Sequence, residues 1–92
     1  MKIVFSKDAK DDLIRLKQFI FIKNPRAANR IIDELIMGMK KLIELPEMGI
    51  EVKISPSPKH VRDIYILKYQ VRYLILSEEI KIIRIWHQKE DR

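Results

Sequence analysis

Apolar residues recur at helical spacing through the first half of the chain and at closer, strand-like spacing through the second. Lys2-Ile3-Val4-Phe5 is a short β-branched and aromatic run that predicts a strand. Ala9, Leu13, Leu16 and Ile20 then follow at intervals of four, three and four, a stripe widened by Phe19. Ser6 is placed to cap that helix, and Asp8, Asp11 and Asp12 favour the positive end of its dipole. Asn24-Pro25 breaks the pattern and restarts it, with proline at the first helical position and asparagine as the cap. Ala28, Ile31, Ile32, Leu35, Met39, Leu42 and Ile43 form the second apolar face, and Pro46 and Gly49 end it. A helical hairpin with a two- or three-residue connection follows. Gly38 costs about 1 kcal/mol of helix propensity relative to alanine, and close packing against the first helix is its expected role.

Beyond Gly49 the period changes. Residues 51–54 predict a short strand, and Ser55-Pro56-Ser57-Pro58 a loop, since no central strand tolerates two prolines. Three further strands are expected over 61–67, 69–76 and 80–87, with Ser77-Glu78-Glu79 turning between the last two. Helices followed by strands predict an α+β fold: an N-terminal strand and an αα-hairpin packed on one face of a mainly antiparallel sheet. One domain over residues 1–92 is expected. By strict alternation, Tyr69, Val71, Tyr73 and Ile75 share one side of their strand, and Gln70, Arg72, Leu74 and Leu76 the other. Ile80, Ile82, Arg84 and Trp86 likewise oppose Lys81, Ile83, Ile85 and His87. Neither side is polar throughout, so the face away from the helices mixes apolar groups with arginine. Either a second small core under the 55–58 loop or the C-terminus covers it, or a partner does.

Composition narrows the functional classes. The 92 residues are 47% hydrophobic and 35% charged, as in a globular protein rather than a disordered tail. Cysteine is absent, which excludes disulfides and thiolate metal sites. No apolar run approaches the roughly 20 residues of a membrane span, and the N-terminal apolar stretch is too short for a signal peptide. The expectation is a cytoplasmic protein with no membrane partner. The net charge of +6 favours an anionic partner. Lys53, Lys59, Arg62, Lys68 and Arg72, with His60, concentrate that charge against Asp63 alone. Lys40-Lys41 is explained by the helix dipole. No GxGxxG, P-loop, HExxH or Gly-rich phosphate cradle occurs, so no cofactor and no metal are expected.

The order of these elements, with several local motifs, resembles the RelE/ParE toxin superfamily over nearly the whole chain, the ParE-like branch most of all. The motifs are Lys7-Asp8-Ala9-Lys10-Asp11-Asp12-Leu13, Asn24-Pro25-Arg26-Ala27-Ala28 and Leu45-Pro46-Glu47-Met48-Gly49. Val61-Arg62, followed seven residues after the arginine by Tyr69-Gln70-Val71-Arg72-Tyr73, and Ile83-Arg84-Ile85-Trp86-His87 complete the set. The resemblance implies the toxin of a type II toxin–antitoxin system, inhibiting growth, linked to plasmid stabilisation and neutralised by a cognate antitoxin in a hetero-oligomer. Trp86 or Leu74 would anchor apolar antitoxin side chains. Arg62, Arg72 and Arg84, beside His87, would pair with its carboxylates or contact the toxin's target.

Within the superfamily, ParE-like members poison DNA gyrase and RelE-like members cut messenger RNA on the ribosome. Cleavage needs the 2′-hydroxyl deprotonated, the phosphorane charge stabilised and the 5′-oxygen protonated. The RelE pattern is poorly kept. Gln70 stands where that pattern has an arginine, and its two strand lysines fall at Arg62 and Ile64. Its late arginine falls near Lys89, and its terminal tyrosine has no counterpart before Arg92. His87 stands where YoeB-like ribonucleases carry a general acid, though ParE relatives often carry histidine there too. If the protein is a ribonuclease, His87, Arg62 and Lys89 are the candidate catalytic residues. His60 and the arginines also have plain readings, as solvated or sheet-edge groups.

Overall fold

The computed structural model describes residues 1–56 and 60–89. The elements run β1 (Lys2–Phe5), α1 (Lys7–Lys23), α2 (Pro25–Lys40), β2 (Ile50–Glu51), β3 (Val61–Ile66), β4 (Tyr69–Ile75) and β5 (Glu79–His87). Two 3-10 turns, Lys41–Ile43 and Pro46–Met48, bridge α2 to β2. The sheet order is β1-β5-β4-β3-β2, with β1 parallel to β5 and every other pair antiparallel. The α+β architecture expected from the sequence is the one observed. Ser57 and Pro58 of the expected loop, Lys59 of the basic stretch and the terminal residues 90–92 lie outside the described residues.

Each helix begins as its capping chemistry dictates. Ser6 Oγ accepts from the Ala9 amide at 3.0 Å and donates to the Ile83 carbonyl at 2.8 Å, so one hydroxyl both starts α1 and ties it to β5. Asn24 alone joins the helices, a tighter link than the two or three residues expected. Its amide donates to the Ile20 carbonyl at 2.7 Å and closes α1. Its side chain accepts from the Ala27 amide at 3.3 Å and opens α2. Pro25, having no amide hydrogen, lets one residue serve both ends.

The helices bury Leu16, Ile20, Ile32, Leu35 and Met39 against Val71, Tyr73, Ile80, Ile82 and Ile85 of the sheet. Gly38 serves a different neighbour from the one expected. A Cβ there would lie 2.8 Å from the Ile66 side chain, so the glycine admits β3 rather than α1. The strand expected over 51–54 is shorter and earlier, because the Ser55 amide folds back onto the Val52 carbonyl and turns the chain away.

Strict alternation fails on β5. Arg72 opposes Arg84 while Tyr73 opposes Ile82, which leaves Ile83 as an extra residue. Ile80 and Ile82 face the helices before the bulge. After it Ile85 and His87 do, opposite Val71 and Tyr69. Arg84 and Trp86 are thereby moved to the far face beside Arg72 and Gln70, not onto the side of Ile80 and Ile82. The mixed patterning of this strand is the signature of the bulge.

Candidate functional site

The bulge builds a row of alternating charges and one ring across the far face. Asp63 on β3 accepts from Arg72 Nε at 2.9 Å and Nη2 at 3.0 Å, and from Gln70 Nε2 at 2.8 Å. Arg72 lies 5.1 Å over the Trp86 ring and Arg84 5.7 Å over it. Arg84 in turn donates to Asp12 of α1 at 2.8 and 3.2 Å, and Arg15 stands 3.5 Å from the same carboxylate. Burial would raise the Asp12 carboxyl, yet the Arg84 and Ile85 hydrogen bonds and the two arginine charges outweigh it and hold the group below its ordinary range. The hydrogen bond from Arg72 to Asp63 raises the guanidinium further above its ordinary value.

Arg62 points to the opposite side, with Tyr73. Its Nη1 donates to the carbonyls of Glu47 at 3.2 Å and Gly49 at 3.0 Å. The Tyr73 hydroxyl accepts from the Gly49 amide at 2.9 Å and donates to the Pro46 carbonyl at 2.6 Å. Burial pushes that phenol up. A Cβ at Gly49 would come 2.6 Å from the Tyr73 hydroxyl, so only glycine permits this seat. The 46–49 turn is therefore clamped to the sheet from two sides.

A groove of about 460 Å³ opens where the helical hairpin meets the β3–β4 turn. Phe19, Ile20 and Ile31 from the helices and Leu67, Tyr69 and His87 from the sheet supply its apolar lining. Lys23, Arg30 and Lys68 stand on it against Glu34 alone, which Arg30 meets at 3.2 Å. His87 packs edge-on against Tyr69 at 5.4 Å, and its Nδ1 accepts from the Lys89 amide at 3.1 Å. Leu67 has φ 56°, the left-handed region at the first turn position. Glycine is the usual choice there, so an exposed leucine at this lip carries strain on the order of 1 kcal/mol.

The structure thus brings Arg72, Arg84 and Trp86 together, but as partners of Asp63, Asp12 and one another. Trp86 is only 8% exposed. Leu74 lies farther along the same face, opposite Lys81. His87 and Lys89 are neighbours. Arg62 is not brought to them: it opposes Tyr73 while His87 opposes Tyr69, four residues away along β4. The groove itself was not anticipated. Its signals were present but scattered: Phe19 at the margin of the α1 stripe, Lys68 in the basic stretch, and a turn with no glycine.

Among the described residues no three His, Cys, Asp or Glu side chains cluster to hold a metal ion, and no helix is long and apolar enough to cross a membrane. The family profile described as the ParE toxin of the type II toxin-antitoxin system, parDE, matches residues 3–92. The protein called Toxin RelE1 of Caulobacter vibrioides (strain ATCC 19089 / CIP 103742 / CB 15) is 31% identical over 91 residues, covering 98% of this chain and 96% of its own. In fold, the chain is similar to a solved structure of the chromosomal ParDE TA system from P. aeruginosa. The TM-score is 0.77 at 20% identity, over 95% of each chain.

Proposed function

The chain belongs to the ParE toxin family of type II toxin–antitoxin systems, and from that premise we propose that it arrests growth by binding DNA gyrase and is neutralised by a cognate antitoxin. The separation of Arg62 from His87 carries this reading over the nuclease one. Four residues of strand span roughly 13 Å, too far for a cation and an acid to serve one scissile phosphate. Gln70 and Arg72 are both committed to Asp63, so the position where an oxyanion would need a free cation is occupied by a neutral amide and a neutralised guanidinium.

The antitoxin's seat is the hairpin groove. Its apolar lining and its excess of Lys23, Arg30 and Lys68 over Glu34 suit an acidic segment with large apolar side chains. On the far face of the sheet, the exposed parts of Arg72 and Arg84 would take the carboxylates of an antitoxin segment that passes around the β3–β4 turn, while the Trp86 ring has little free surface left to offer.

One observation favours a ribonuclease as the second reading: His87 borders the same groove as Lys68 and Arg30. Two parallel assays separate the readings. Gyrase supercoiling should be inhibited by the purified protein, and mRNA in a programmed ribosomal A site should stay intact. Cleavage abolished by His87→Ala, with gyrase unaffected, would reverse the assignment.

A further inference from the structure

At the other end of β4, Glu44, Leu45, Pro46, Glu47, Met48 and Ile75 line a second groove, of about 550 Å³. Its apolar side chains are open to solvent, Leu45 by 59% and Met48 by 44%. Two features say what would cover them. The rim is acidic on a chain of net charge +6, and among the described residues neither Glu44 nor Glu47 forms an ion pair. The groove is also built on the clamped turn. Tyr73 grips Gly49 and Pro46, and Arg62 grips Glu47 and Gly49, so little order remains to be imposed on binding.

We infer that this groove is the face by which the toxin takes hold of its macromolecular target, through a protein segment carrying lysine or arginine beside a large apolar side chain. The inference rests on the reading of the chain as a toxin that acts by binding a protein. An apolar floor with an acidic rim complements such a segment and repels an acidic one. The acidic antitoxin is thereby directed to the hairpin groove. Tyr69 lines that groove and Ile75 this one. Six residues of strand separate them by roughly 20 Å, so substitutions at one should not couple to the other. A second copy of the chain is a poorer occupant. Its exposed α1 side chains Ile14, Lys17 and Phe21 have suitable chemistry, but such a head-to-tail contact closes into a ring only at particular rotations and otherwise grows into filaments.

The test pairs Glu44→Lys/Glu47→Lys with the wild type in three measurements. The first titrates the synthetic peptide Lys-Leu-Lys-Leu-Lys-Leu while following the Met48 methyl resonance. The wild type should show a saturable shift, and the variant should lose about tenfold or more in affinity. The second is growth arrest on induction, which the variant should require about tenfold more protein to produce. The third is antitoxin affinity by calorimetry, which should stay within about twofold. Sedimentation and melting curves verify that both proteins fold and report self-association. No peptide shift at Met48 would overturn the inference, as would equal growth arrest or a parallel loss of antitoxin binding. Concentration-dependent wild-type oligomers that vanish in the variant would also overturn it, assigning the face to self-association. A variant that loses growth arrest, beside a wild type inert on gyrase, would refute gyrase as the target and leave the groove's role standing.

Discussion

The carboxylate of Asp12 stands where a longer β1 would have paired with Ile85. β1 ends at Phe5, opposite Ile82, and leaves the outer edge of β5 open beyond it. Asp12 Oδ2 accepts the Ile85 amide at 2.9 Å while also holding Arg84 at 2.8 Å. One side chain of α1 thus satisfies a backbone donor on an open strand edge, fixes the helix to the sheet and anchors the charged row over Trp86. A helix-start aspartate explained at first by the dipole proves to be buried.

That role makes the fold sensitive to acid at a defined place. Asp12 is held below its ordinary value of 3.8 in the folded chain. Its contribution is therefore fully present above that value, and is lost as pH falls below it through the folded pKa. Asp12→Asn keeps an acceptor but removes the charge, at a cost of about 2 kcal/mol near neutral pH. Urea midpoints should differ most above pH 4 and converge below it. Midpoints that stay equally separated down to pH 2 would refute the assignment.

Trp86 should behave as a structural residue. Its ring is nearly buried beneath Arg72 and Arg84. Trp86→Ala should cost about 3–4 kcal/mol, lowering the melting temperature by more than 10 °C. Trp86→Phe should fold and retain antitoxin affinity within about twofold. A well-folded Trp86→Phe protein with tenfold weaker antitoxin binding would place the ring in the interface instead.

The hairpin groove predicts a different pattern. Phe19→Ala and Lys68→Glu alter exposed positions, so each should leave the melting temperature nearly unchanged and weaken antitoxin binding by about tenfold or more. Leu67→Gly separates stability from binding more sharply. It removes strain on the order of 1 kcal/mol at φ 56°, partly offset by glycine's greater unfolded entropy. It also deletes an apolar wall of the groove. Calorimetry should therefore show equal or higher stability together with weaker binding, and unchanged affinity would remove Leu67 from the antitoxin contact.

The elements were legible because each carries a local signal. The 3.6-residue stripe, the Ser6 and Asn24-Pro25 caps and the β-branched runs lie within a few residues of one another. The site was less so, because its determinants are pairings between distant residues. The mixed patterning of residues 80–87 fits a bulge but does not place it at Ile83, yet that one residue moves Arg84 and Trp86 to the other face. Gly38 meets Ile66, and Asp12 meets Ile85, across separations no window of sequence spans. The arginines were found as cations, but whether a cation is free depends on Asp63, Asp12 and the Glu47 and Gly49 carbonyls, which only the fold brings up.

The chemistry at Gln70 gives the last prediction. A cation at a developing oxyanion is worth about 3–4 kcal/mol, or roughly 10² to 10³ in rate, so Gln70→Arg is the natural attempt to restore RelE-type cleavage. Here it should fail. Gln70 is buried, 4% exposed, and donates to Asp63, which already holds Arg72 through two bonds. An arginine at this position would turn onto the same carboxylate or crowd Arg72, and would present no free charge to a phosphate. Arg62 would remain on the Glu47 and Gly49 carbonyls, roughly 13 Å of strand from His87. Wild type, Gln70→Arg and His87→Ala should therefore all leave A-site mRNA uncut at micromolar protein, while wild type and His87→Ala still arrest growth. Cleavage gained by Gln70→Arg would mean that Asp63 does not sequester the new guanidinium, and that the sheet retains a working phosphate site.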